Sequence, residues 1–165
     1  MILRELKEKD APRMLEWMHD ISVVEKLQTN FMDKTIDDCV TFINHSRDNN
    51  NLHLAIADDD DIYMGTVSLK NINNGAAEFA ITVHKEAMGK GFSSWAMKKI
   101  LMKGFNELNL KYIYWCVAKD NLRAIKFYDK NKYTRVSAED INITGGYSKE
   151  QINDYIWYCE LNKMR

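Results

Sequence analysis

Several things are missing from this chain, and each absence narrows what it does. No apolar run approaches the length of a membrane span, and the opening MILRELKEKD carries charges where a secretory signal would need its apolar core. A cytoplasmic protein with no membrane partner is therefore expected. Cysteine is scarce: Cys39, Cys116 and Cys159 are odd in number, far apart and without a CxxC pair, which suggests neither a zinc site nor a disulfide framework. Reduced thiols and no metal follow. Charge of one sign is missing as well, since 23 basic residues face 24 acidic ones. A protein built to neutralise nucleic-acid phosphates over a wide surface needs a basic excess, so small ligands are expected instead and no nucleic acid. Repeats and low-complexity tracts are absent, and 165 residues fit a single domain, 1–165, with one core.

What is present reads as alternating strands and helices. Ile2 to Leu6 is a candidate strand, followed by Asp10 as an N-cap before Ala11-Pro12. Ala11, Met14, Leu15, Met18 and Ile21 recur at helical spacing. Ser22 to Lys34 has no clear period and reads as an irregular or weakly helical connection, after which Thr35-Ile36-Asp37-Asp38 signals a second helix to about His45. Leu52, Leu54 and Ile56 alternate as a strand, Asp58 to Asp61 reads as a solvated turn rather than a cation site, and Tyr63 to Leu69 returns. Asn73-Asn74-Gly75 turns the chain again, which gives three antiparallel strands in a row. Tyr112 to Val117, rich in β-formers on both faces, reads as a central strand parallel to Glu78 to Val83, because a helix separates the two. Tyr133 to Ser137 and Asp154 to Leu161 close the chain as strands, joined by the polar loop Glu139 to Asn153.

The stretch from Glu78 to Phe105 organises the rest. Phe79, Ile81 and Val83 alternate with Glu78, Ala80 and Thr82, and from Phe92 the apolar period changes to that of a helix. Between them lies Met88-Gly89-Lys90-Gly91-Phe92-Ser93, whose glycines permit positive φ and close approach to the backbone. The unpaired N–H groups of the helix's first turn can then converge on a phosphate or pyrophosphate. A second constellation begins at Asn121, where Asn121, Ala124, Ile125 and Tyr128 fall on one helical stripe.

The first segment, after Val83, resembles motif A of the GNAT superfamily of acyl-CoA-dependent N-acyltransferases, with Met88 in place of the usual Arg or Gln and Ser93 in place of the last small residue. The second, Asn121 to Tyr133, is similar to motif B in Asn121, Ala124, Tyr128, Lys130 and Tyr133, with Asn131-Lys132 where that family tends to have a Lys-Gly turn. The resemblance covers nearly the whole strand and helix order. It implies an α/β (α+β) GNAT fold: a mixed sheet of about six to seven strands with a splayed parallel pair, flanked by about four helices. It also implies acetyl-CoA as cosubstrate. The backbone of Ile81, Thr82 and Val83 would hold the pantetheine arm, the N–H groups from Gly89 through Lys90, Gly91, Phe92 and Ser93 to Ser94 the pyrophosphate, and Met88, Asn121 and Tyr128 complete the cofactor set. Tyr128 matches the family's general acid. For a base, Glu78 and His84 both stand as candidates, each weighed against an ion pair or a cap.

The resulting expectation is an N-acetyltransferase that moves an acetyl group to a primary amine of a small molecule, an amino sugar or a polyamine, by direct attack in a ternary complex. Ala77-Glu78-Phe79 and the closing Asp154 to Tyr158 add a likeness to the branch acting on ribosomal-protein termini, polyamines and amino sugars. Cys116, however, stands where ribosomal-protein N-terminal acetylases carry a glutamate. A protein or peptide N-terminal acetyltransferase, a non-catalytic CoA-binding sensor and a nucleotide-binding module are the alternatives, the last without a GxxxxGK[ST] signature. A monomer and a homodimer are both open, and the segments Ser22 to Lys34 and Glu139 to Asn153 are expected to choose the acceptor.

Overall fold

The computed structural model describes residues 1–163. Among these residues, seven strands form one sheet: β1 (Ile2–Glu5), β2 (Leu52–Ala57), β3 (Tyr63–Asn73), β4 (Ala76–Val83), β5 (Tyr112–Ala118), β6 (Arg135–Val136) and β7 (Tyr155–Leu161), in the order β1-β2-β3-β4-β5-β7-β6. All neighbours are antiparallel except β4 and β5, the pair joined through a helix. The Asn74-Gly75 turn works as expected, with both residues at positive φ.

One face of the sheet carries α4 (Phe92–Asn106) and α5 (Leu122–Lys130), whose inward stripes bury Phe92, Ala96, Met97, Ile100, Leu101 and Tyr128 against Leu54, Ile56, Val67, Leu69, Phe79, Ile113 and Trp115. The other face is covered in two parts. Over β2 and β3 lie α1 (Ala11–Met18) and α3 (Ile36–Asn44), packing Met14, Trp17, Met18, Cys39 and Ile43 on Ala55 and Tyr63. Over β5 and β7 lies the segment from Ala138 to Ile152, which packs Ile141, Ile143, Tyr147 and Ile152 around Tyr114, Trp157 and Cys159. Two short helices complete the set, α2 (Ile21–Val24) and α6 (Lys149–Asp154).

Three expectations are corrected. Asp10 does not cap α1 through its side chain. It is buried, accepts from Arg4 Nη1 and Nη2 at 2.8 and 2.9 Å and from the Lys7 N–H, so a buried ion pair outcompetes the cap. The polar loop expected over Glu139 to Asn153 contains a helix, α6, started by a Ser148–Gln151 capping box, whereas the weakly helical reading of Ser22 to Lys34 agrees with α2, capped by Asp20. The strand expected over Tyr133 to Ser137 shrinks to Arg135–Val136, because Lys132 at positive φ and the return from α5 use the preceding residues.

Candidate functional site

The site comes from a break in the sheet. β4 and β5 pair only through Ala76, Ala77 and Glu78 against Tyr112, Ile113 and Tyr114, although β4 runs on to Val83 and β5 to Ala118. Beyond Glu78 the strands part, and each stays paired on its outer side, β4 with β3 and β5 with β7. Their facing edges therefore hold backbone groups that no strand takes. The His84 N–H goes to the Met64 carbonyl at 2.7 Å on the β3 side. By the alternation of an extended strand, the N–H groups of Ile81 and Val83 turn to the gap.

The gap opens into a groove of about 770 Å³. Its lining brings together Ile81, Thr82, Val83, Met88, Gly89, Gly91, Phe92, Ser93, Ser94, Asn121 and Tyr128, while Lys90, Glu78 and His84 lie outside it. At the mouth, Gly89 and Gly91 have φ of 74° and 83°, and Gly91 is the N-cap of α4. Trp95 N–H closes the first turn on the Gly91 carbonyl at 3.1 Å, which leaves the N–H groups of Phe92, Ser93 and Ser94 without an intrahelical acceptor, at the positive end of a fifteen-residue helix. Such an arrangement can cradle an anion.

Across the groove, Asn121 caps α5 by accepting the Ala124 N–H at 3.2 Å, and Tyr128 lies further along the same stripe. Tyr128 is buried among Trp115, Phe127, Tyr133 and Tyr158, and its hydroxyl has no hydrogen-bond partner among the described residues. Burial first, then the neighbouring Cys116, Tyr158 and Tyr133, hold its phenol well above the usual range. Such a group keeps its proton and can donate it, but it cannot serve as a base near neutral pH.

The two candidate bases have different surroundings. His84 accepts the Glu86 N–H on Nδ1 at 3.1 Å, so Nε2 carries the proton and donates to Glu16 at 2.6 Å. Both ring nitrogens are occupied. Glu78 is buried on the sheet face opposite α4, where its carboxylate accepts from Asn71 Nδ2 at 3.1 Å and from the Tyr147 hydroxyl, with Lys70 Nζ at 3.9 Å.

Sequence reasoning missed several groups. Lys26 and Leu27 line the groove from the segment expected to choose the acceptor, but the bridge from Lys26 to Asp120 at 2.8 Å, which ties that segment to the start of α5, was not foreseen. Arg123, in the first turn of α5, reaches Met88 Sδ at 3.4 Å and has no carboxylate partner among the described residues, so a guanidinium stands beside the position where motif A would place its own cation. A basic residue just after a helix cap was the available signal for Arg123. Nothing in the pattern around Lys26 announced it. Among the described residues no group of three or more His, Cys, Asp or Glu could hold a metal ion, and no helix is long and apolar enough to cross a membrane.

A mixed sheet with one parallel pair, parted at its carboxyl end beside a helix N-terminus, defines an α/β protein whose groove has the shape and donors for an elongated, phosphate-bearing ligand. Residues 1–134 match the family model for the acetyltransferase (GNAT) domain, and the chain belongs to that family. Over 107 residues it is 32% identical to the spermidine N(1)-acetyltransferase of Vibrio cholerae, a stretch covering 62% of each protein. A shorter stretch of 68 residues is 41% identical to the spermidine N(1)-acetyltransferase of Escherichia coli, covering 40% of this chain and 37% of that one. The matched stretches thus span less than two thirds of these relatives. In structure, the chain is similar to the Vibrio cholerae spermidine N-acetyltransferase solved in complex with CoA and spermine, with a TM-score of 0.78, 25% identity and coverage of 98% of this chain and 95% of that one.

Proposed function

We propose that the protein transfers the acetyl group of acetyl-CoA to a primary amine of a polyamine, by direct attack of the amine on the thioester while both are bound. The observation that carries this reading is the parted β4–β5 pair with the α4 cradle at one end and the Tyr128 phenol along it. The likeness to spermidine acetyltransferases supports a polyamine over other amines.

In this reading the N–H groups of Phe92, Ser93 and Ser94, with the loop from Gly89 to Gly91, take the pyrophosphate, and Arg123 adds the charge that Met88 lacks. The pantetheine amides complete the open edge of β4 at Ile81 to Val83. The Val83 N–H then donates to the thioester carbonyl, a bond that strengthens as the oxygen gains charge in the transition state. Tyr128 gives its proton to the departing thiolate, and Asn121 fixes the start of the helix that carries it. The attacking nitrogen must be neutral, so a group on the acceptor side has to remove its proton, and Glu78, in the last residue pair before the strands part, carries the carboxylate we assign to that end of the path.

The test is a transfer assay with acetyl-CoA against spermidine, spermine, an amino sugar and a peptide with a free N-terminus, alongside acetyl-CoA binding by calorimetry. Acetylation of the polyamines at a kcat/KM well above the other two is expected. Transfer to the sugar or the peptide alone would replace the acceptor class, and tight binding with no transfer to any amine would leave a CoA-binding sensor.

A further inference from the structure

Glu78 cannot meet an amine directly. It is 4% exposed, and both carboxylate oxygens already have partners: Oε1 has the Tyr147 hydroxyl and the more distant Lys70, and Oε2 has Asn71. The chemistry of those partners differs. An amide nitrogen and an ammonium only donate, whereas a phenolic oxygen can accept a proton on one side while releasing one on the other. Among the described residues, Tyr147 is thus the hydrogen-bonded contact of Glu78 suited to take up one proton while passing its own on.

The loop around Tyr147 is built to keep it there. The Thr144 and Gly145 N–H groups both bond to the Tyr114 hydroxyl, at 2.8 and 3.1 Å, and Thr144 Oγ1 donates to the Asn71 carbonyl at 2.7 Å. A Cβ at Gly145 would come within 2.9 Å of Glu78 Oε2 and 3.0 Å of the Tyr147 ring, so any side chain there must push the carboxylate or the tyrosine aside. The Tyr147 ring packs edge-on against Trp157 at 5.3 Å. Its hydroxyl accepts from the Cys116 thiol at 3.6 Å, and Cys116 in turn accepts from the exposed Gln28 amide at 3.6 Å. Gln28 belongs to the segment after α2, so the line Gln28, Cys116, Tyr147, Glu78 runs from the surface between the two covering segments to the buried carboxylate.

We propose that Tyr147 carries the proton of the attacking amine to Glu78. The inference rests on the transferase reading above. In the step, an N–H bond of the acceptor ammonium breaks as an O–H bond forms at Tyr147, while the original Tyr147 O–H breaks and its proton forms an O–H bond on Glu78. The tyrosine ends neutral, and the amine is free to attack the thioester. Burial, then Cys116 and Glu78, hold the Tyr147 phenol well above its usual range, so it does not rest as a phenolate. The other titratable and charged groups around the pair are Lys70 on β3, Tyr114 and Cys116 on β5 and Tyr155 on β7.

The experiment compares wild type, Tyr147→Phe, Glu78→Gln and the double variant by kcat/KM for spermidine from pH 6.5 to 10, with acetyl-CoA affinity and thermal melting measured on each. Loss of the relay should lower kcat/KM about 100-fold near pH 7. The deficit should shrink toward pH 10, where a simple primary amine, with a pKa of about 10.4, supplies its own neutral form. Glu78→Gln should behave alike, and the double variant should be no worse than either single one, because one path is cut in each case. A Phe variant with the wild-type profile, an equal fractional loss at every pH, or losses that multiply in the double variant would each overturn the relay. If wild type itself transfers to no amine, the transferase reading falls first and the relay with it. If wild type transfers and only these patterns fail, the relay alone is wrong.

Discussion

At the scale of single residues, Tyr128 and His53 show how burial sets what a titratable group can do. Tyr128 sits 5.1 Å from the Tyr158 ring and 5.4 Å from that of Trp115, so Tyr128→Phe keeps the packing and removes only the proton. We expect acetyl-CoA affinity to change little and kcat to fall about 100-fold. A wild-type kcat, with the chemical step rate-limiting, would leave water as the acid. His53 bonds to Ser68 Oγ at 2.6 Å and lies against the Phe42 ring, and burial, with help from Lys70 and against Asp48, lowers its pKa to about 4. The folded imidazole therefore stays neutral where an unfolded one, with a pKa of about 6.5, takes up a proton. Stability is full above that value and falls as the pH drops toward 4. The loss is on the order of 2 kcal/mol or less, because part of the ring remains in water. Urea titrations at pH 7 and pH 4.5 on wild type and His53→Gln measure it, and an equal pH slope in both proteins would exclude His53 as the cause. The Asn121–Tyr128 stripe was legible because helical spacing alone puts both on one face. Tyr147 was not, since its contact with Glu78 spans 69 positions and its loop has no period.

Among the elements, the loop from Met88 to Ser93 carries the most precise demand. Gly91 has a φ of 83° and only Met1 Cε, at 3.9 Å, near a would-be Cβ, so its requirement is one of backbone angle and not of crowding. A β-branched residue there is strained and must shift the first turn of α4 away from its anion-binding geometry. Gly91→Val should raise the acetyl-CoA Kd beyond detection while far-UV circular dichroism stays that of wild type, whereas Lys90→Ala, outside the groove lining, should change Kd less than about threefold. Equal affinity for Gly91→Val and wild type would remove the cradle from this loop. The long elements were readable because apolar periods of two and 3.6 persist over enough residues. α6 was hidden for the opposite reason, being six residues without an apolar stripe, and only the spacing of Ser148 and Gln151 betrays it. The capping of α1 by Asp10 was misread because the sequence shows a cap residue in place but not Arg4 folding back onto it.

Over the whole molecule, the three residue pairs that join β4 to β5 have a consequence for how the protein holds together. One side of that seam is the block of β1 to β4 and the other the block of β5, β7 and β6, so the sheet is laid out as two plates fastened at one corner, with α4 and α5 lying across them. On the proposed function, an acetyl-CoA seated along the seam is a rivet as well as a reactant. At a hundredfold excess over Kd it should add about 2.7 kcal/mol to stability. Hydrogen exchange will show where that stability goes: the Ile81 and Val83 amides should slow most on binding, while amides already locked between β2 and β3 should move only with the global gain. Uniform protection across both plates would mean that they never opened separately. If the seam does open alone, the resistance of the protein to a protease will track its cofactor supply, and depletion of acetyl-CoA will idle the protein and expose it to cleavage together.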